Sequence, residues 1–172
     1  VAKAAPTWAA RQDKRVKEEK VDSFDKSWRA VEVKVNARTP KLAPERQTEG
    51  SAGYDLFADL KEPVALPVGG QARLIPTGVR LEIPQGFEGQ VRARSGLASR
   101  GVMLANGVGT IDSDFRGEIL VPLVAVAGGH IVHPGDRIAQ LVFARLPETV
   151  LTAAESLSDT GRGSRGFGST GA

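Results

Sequence analysis

From residue 30 the chain alternates between apolar and polar side chains. Val31, Val33 and Val35 interleave with Glu32 and Lys34, the period of a half-buried strand. Val79, Leu81 and Ile83 repeat the pattern around Arg80 and Glu82, as do residues 87–94 and parts of 137–146. Turn signals separate these runs: Pro67 with Gly69 and Gly70, Pro76 with Gly78, Pro84 with Gly86, and the run His133, Pro134, Gly135, Asp136. Many short strands with almost no helical periodicity predict an all-β sandwich or barrel. Residues 119–127 are apolar at both phases, interrupted only by Pro122. That run predicts a strand covered on both faces, in the core or at a subunit contact, and Pro122 predicts an edge or a bulge.

Residues 1–29 differ from the rest. They are polar and charged, with Trp8, Val16, Val21, Phe24 and Trp28 scattered among lysines and acids. This predicts a mobile or peripherally docked arm, with contact to a partner surface or nucleic acid as the other reading. The chain thus divides into an arm (1–29), a β domain (30–160) and a glycine-rich tail (161–172).

Composition narrows the chemistry. The length of 172 residues suits one domain with a proper core. The absence of cysteine excludes disulfides and thiolate metal sites. His130 and His133 are the only histidines and have no further ligands nearby in sequence, which argues against a zinc hydrolase. A net charge of +3 is too small for general nucleic-acid binding and suits small polyanions, so no stable nucleic-acid complex is expected. No apolar run reaches the length of a membrane span, so no membrane partner is expected. A cytoplasmic location is expected, or the nucleus or an organelle if the alanine-rich, basic start is the remnant of a leader.

Candidate chemistry lies in several short segments. The tail GRGSRGFGSTG holds Arg162, Arg165, Ser164, Ser169 and Thr170, side chains that grip phosphate, and Phe167, which can stack on a flat ring. The alternatives are a flap that orders over a nucleotide or a merely flexible end. Its glycine spacing formally matches the dinucleotide fingerprint but lacks the strand before it and the helix after it. In the run 109–117, Asp112 and Asp114 would share a face if extended, or sit in a hairpin turn. Arg94, Ser95 and Gly96 follow an alternating strand. Ser95 there is either an ordinary helix cap or, with the Gly96 amide, an anion holder. Asp55 within AGYDL is a buried acceptor or holds a metal-bound water. Gln140 in GDRIAQL is a polar residue facing something specific.

In this order and spacing the segments AGYDL, RSGLAS, NGVGTIDSDFRG, GDRIAQLV and RGSRGFGSTG closely resemble the five motifs of the trimeric deoxyuridine triphosphate nucleotidohydrolases, the dUTPases. The resemblance covers residue 31 onward. It implies a jelly-roll-like distorted β-barrel and a homotrimer with active sites at subunit boundaries, the tail of one chain closing over a site built by the others. It implies hydrolysis of dUTP to dUMP and pyrophosphate with Mg²⁺, which limits uracil in DNA and supplies dUMP for thymidylate synthesis. Asp112 would be the general base. Asn106 and the backbone of Gly109, Thr110 and Ile111 would read uracil, with Leu120 nearby, and Phe115 would pack on the deoxyribose. Arg94, Ser95, Gly96 and Gln140 would hold the phosphates, and Asp55 a water of the Mg²⁺ shell. Arg162 would meet the γ-phosphate, Phe167 would stack on uracil, and Gly168, Ser169 and Thr170 would complete the cap.

The sequence departs from that pattern at Phe115, where tyrosine is usual, at Ala93, where proline is usual, and at Arg165, where a small residue is common. Two other readings stay open at this level. One is a dCTP deaminase of the same fold, although IDSDFRG resembles the hydrolase. The other is a nucleotide sensor that binds without turnover.

Overall fold

The computed structural model describes residues 30–166. The arm expected over 1–29, and Phe167, Gly168, Ser169 and Thr170, lie outside them. Within them the chain is all-β and jelly-roll-like: eleven strands, one short 3₁₀ turn at Pro40–Leu42 and one helical turn, α1 (Ser95–Ala98). The strands are β1 (Lys34–Ala37), β2 (Tyr54–Phe57), β3 (Val64–Leu66), β4 (Arg73–Pro76), β5 (Val79–Glu82) and β6 (Phe87–Arg92). They continue as β7 (Val102–Leu104), β8 (Gly109–Ile111), β9 (Leu120–Ala125), β10 (His130–Val132) and β11 (Arg137–Arg145). A four-stranded sheet runs β2-β11-β6-β8 and a three-stranded one β4-β9-β7, with the pairs β1-β5 and β10-β3 completing the fold. Every strand pairing is antiparallel.

The alternation read from sequence is the alternation of burial. In β5, Val79 and Leu81 are buried while Arg80 and Glu82 are exposed. β9, which is apolar at both phases in sequence, also has one inward phase, Val121, Leu123 and Ala125, while Leu120 is exposed. The core joins both large sheets through Leu56, Ile75, Val91, Ile119, Leu123, Ile138 and Leu141, each nearly free of solvent. Burying one such side chain contributes about 1.5–3 kcal/mol.

Two expectations are corrected. The first strand begins at Lys34, not Val31, and Val31 and Val35 are 41% and 49% exposed. Its register against β5, ending at Lys34 opposite Glu82, explains the shift: residues before it run past the partner's last residue toward Pro84, which lacks an N–H. Pro122 stands in the central strand of its sheet rather than at an edge. The ladder tolerates it because its carbonyl still accepts from Ala105 N at 2.8 Å, one residue beyond the end of β7. The bond given up is therefore a terminal one.

The turns follow the glycines. Gly78 sits at φ +67, and the hydroxyl of buried Thr77 before it donates to Ile119 O (2.8 Å) and accepts from Val79 N (3.2 Å). At the 133–136 turn, Asp136 accepts His133 N on its carboxylate at 2.8 Å, and Gly135 N donates to Ala58 O at 2.8 Å. That stitches the start of β11 to the end of β2. Among the described residues no helix is long and apolar enough to cross a membrane.

Candidate active site

The four-stranded sheet aligns several of the candidate residues. Gln140 of β11 is opposite Asp55 of β2 on one side and Arg92 of β6 on the other. Residues directly opposite share a face, so the three side chains leave the sheet on the side away from Leu141, Val91 and the core. Asp55 is fixed at its outer edge too: its N–H donates to Glu45 O at 2.7 Å.

A bulge brings a fourth residue into this cluster. The register of β11 on β2 shifts between Arg137 and Ala139, so Ile138 and Ala139 are both buried in succession. Without that extra residue Arg137 would lie on the core face; with it, Arg137 stands opposite Phe57 on the face of Asp55. Arg137 Nη1 lies 3.4 Å from Asp55 Oδ2. From the end of β6, Arg94 sends Nε to Asp55 Oδ1 (3.0 Å) and Nη2 toward Oδ2 (3.5 Å), and its Nη1 donates to Arg137 O (3.1 Å). The Asp55 side chain is 1% exposed beneath these groups.

Next to Arg94 the chain makes one helical turn. Of the two readings of Ser95, the ordinary cap is not made: the N-cap position is Arg94, no side chain caps it, and Ser95 opens the turn. Leu97 N and Ala98 N return to Arg94 O, so the amides of Ser95 and Gly96 precede the first bonds of the turn. Arg94, Leu97 and Arg100 line a pocket of about 210 Å³ together with His130, Asp136, Arg137 and Ile138. Three guanidiniums against one lining carboxylate make it attractive to a polyanion.

The other candidates belong to β8 and its flanking loops. A Cβ added at Gly109 would come within 3.2 Å of Asn106 Nδ2, so glycine lets the Asn106 amide lie against the start of β8. Thr110 and Ile111 pair with Gln90 and Gly89 of β6. Asp112 and Asp114 do not share an extended face: Phe115 N returns to Asp112 O at 3.2 Å, closing a turn that Arg116 braces through Ser113 O at 2.6 Å. Nor is β8 half of a hairpin with β9; among the described residues it pairs with β6 alone. Asp112 is exposed, Phe115 is 42% exposed, and its ring lies over Gly117, where a Cβ would sit 2.5 Å from Cζ. Leu120, 46% exposed, begins β9. In the tail, Arg162 Nε donates to Arg165 O (2.9 Å) and Arg165 Nε to Arg162 O (3.1 Å), a self-bonded turn.

The two groups stand apart within one chain. Gly89 pairs with Ile111, the last residue of β8, so Asp112 leaves the sheet toward the Glu88 end of β6, while Arg94 follows its other end, six residues from Glu88. At about 3.3 Å per residue that is a separation of about 20 Å. Sequence reading singled out Arg94 and Asp55 but missed Arg137, whose side a one-residue bulge decides, and Arg100 and His130, which only the folded pocket joins to Arg94.

Neither a Mg²⁺ nor the water of a Mg²⁺ shell expected at Asp55 fits these residues. Among the described residues no three acidic or histidine side chains gather. Both Asp55 oxygens face guanidiniums and the side chain is closed to solvent, which leaves no place for a metal-bound water.

Comparison with known proteins agrees in sequence and in fold. The dUTPase family model matches residues 39–171. The deoxyuridine 5'-triphosphate nucleotidohydrolase of Anaeromyxobacter sp. is 52% identical over 141 residues, covering 80% of this chain and 94% of its own. That of Chlamydia pneumoniae is 52% identical over 132 residues, covering 75% and 90%. A mutant dUTPase of Staphylococcus bacteriophage 80alpha, solved with dUpNHpp, superposes with a TM-score of 0.69 at 26% identity, covering 82% of this chain and 99% of its own. With its motifs, its sheet order and these relatives in agreement, the chain belongs to the dUTPase family.

Proposed function

We propose that this protein hydrolyses dUTP to dUMP and pyrophosphate in a homotrimer whose sites are shared between copies. The observation that carries the activity is the 52% identity, over four fifths of the chain, to a deoxyuridine 5'-triphosphate nucleotidohydrolase. Three features support the assembly. Asp112 and Arg94 lie about 20 Å apart along one sheet, too far to act on one triphosphate unless a second copy supplies one of them. The outer face of β4-β9-β7 carries Leu74, Met103, Leu120 and Val126, exposed by 63%, 48%, 46% and 55%. A contiguous apolar face of this kind marks a protein contact. Beyond β11, Val150, Leu151 and Leu157 are 82%, 94% and 88% exposed, as suits a segment that lies on a neighbour.

In this reading Asn106 and the backbone of Gly109, Thr110 and Ile111 read the uracil edge. A wrong edge leaves buried groups unpaired, which rejects cytosine. Leu120 lies near the uracil, and Phe115 packs on the deoxyribose. Arg94, the amides of Ser95 and Gly96, and Gln140 hold the phosphates of a nucleotide bound across the boundary. Phosphoryl transfer needs positioning and charge neutralisation more than covalent help. Asp112, exposed on its turn, takes the proton of the attacking water. Arg162 reaches the γ-phosphate, and Phe167, Gly168, Ser169 and Thr170 close the cap. Mg²⁺ is assigned to the nucleotide's own phosphate oxygens rather than to a protein cage.

Pyrophosphate release is the test, measured with dUTP, dCTP, dTTP and UTP in Mg²⁺. Release from dUTP alone is expected. Ammonia from dCTP would mean a deaminase, and tight dUTP binding without release a sensor.

A further inference from the structure

Beneath the arginines of the pocket lies a carboxylate, Asp55, that is closed to solvent and is not part of the pocket lining. We propose that Asp55 is a positioning residue: it clamps Arg94 in the orientation that receives phosphate, and it holds no metal water. This rests on the reading that Arg94 grips the triphosphate.

Arg94 has five N–H donors. Nε and one N–H of Nη2 face the two oxygens of Asp55, at 3.0 and 3.5 Å, and one N–H of Nη1 goes to Arg137 O at 3.1 Å. One N–H remains on each terminal nitrogen, the fork that suits two phosphate oxygens. The guanidinium plane is therefore set before any ligand arrives. Asp55 in turn cannot swing. Its backbone is paired to Glu45 and to Gln140, and its second oxygen meets Arg137 at 3.4 Å. The carboxylate also neutralises one of two arginines that would otherwise repel each other. Arg137 is part of the device only because the bulge at Ile138 turns it to this face.

The clamp and the metal-water role differ in what they predict without metal. Titrating the imido analogue dUpNHpp into the purified full chain by calorimetry, with chelator and no divalent ion, isolates the protein's own grip. Asp55→Asn removes a negative charge, so on charge alone the analogue should bind more tightly. The clamp predicts the opposite, a loss of about tenfold with wild-type oligomeric state. It also predicts that the Mg²⁺ concentration giving half-maximal turnover is unchanged. Arg94→Lys cannot offer the same fork, so in that background Asp55→Asn should add less than about twofold. Unchanged or tighter metal-free binding, a raised Mg²⁺ requirement, or full additivity with Arg94→Lys would each overturn the clamp. Asp55→Glu gives a second route if the asparagine variant does not fold. It keeps the charge but displaces Arg94, so metal-free affinity should still fall, and wild-type affinity would count against the proposal. If neither variant folds, Asp55 serves stability and the clamp is rejected. Absence of any wild-type binding to dUpNHpp, with or without Mg²⁺, would instead sink the nucleotide reading on which the clamp stands.

Discussion

Thr77 shows how a single hydroxyl can matter to this fold. It is 0% exposed, and its oxygen serves the carbonyl of Ile119 and the amide of Val79 at once. Thr77→Val keeps the volume and strands both groups, so urea denaturation should show a loss of about 1–3 kcal/mol. A change no larger than that of an ordinary surface substitution would contradict the assignment. Asp112 is the residue-scale test of the chemistry. Asp112→Asn keeps shape and removes basicity, so kcat for dUTP should fall by about 10²–10⁴-fold while dUpNHpp still binds. Near-normal turnover would mean that another group takes the proton. The candidate residues were singled out by the order and spacing of five short segments, none of which carries the reading alone. Arg137 was not, since a strand pattern does not reveal which side of the sheet a bulge will turn it to.

At the scale of elements, period-two alternation predicted β5 and β6 because each strand has one face on a single core, whereas β9, apolar at both phases, shows its inward phase only in the folded sheet. It misplaced β1 because a strand lasts only as long as its partner, and Val31 and Val33 run past the end of β5 toward Pro84. It misread Pro122 because the ladder position it vacates lies beyond the end of β7, which sequence alone does not mark. β11 is the element on which the site depends, lying between β2 and β6. Leu141, opposite both Tyr54 and Val91, is 1% exposed. Leu141→Ala should cost about 2–5 kcal/mol by thermal or urea unfolding. Gly101 constrains the turn into β7: at φ +76, a Cβ there would meet Ala127 O at 2.8 Å. Gly101→Ala should therefore destabilise by about 1–3 kcal/mol, and a neutral result would show that this turn relaxes freely.

At the scale of the whole molecule, motif order pointed to the family, but the distance between motifs in space was hidden. Only the pairing of β6 with β8 shows that Arg94 and Asp112 occupy opposite ends of a sheet. The apolar outer phase of β9 was visible in sequence as a run without alternation. Whether a core or a neighbour covers it depends on the sheet order, which leaves Val124 and Met103 side by side on the outside. Val124→Asp should therefore dissociate the assembly, read by sedimentation, and abolish turnover with it. An intact, active oligomer would remove this face from the contact. The most direct test of a shared site mixes Asp112→Asn chains with Arg94→Ala chains after each has been purified and found inactive. Unfolded and refolded together in equal amounts, they should regain dUTP hydrolysis at about a quarter of the sites, where an intact Arg94 meets an intact Asp112 from another copy. A mixture that assembles but stays as inactive as its parents would contradict the account.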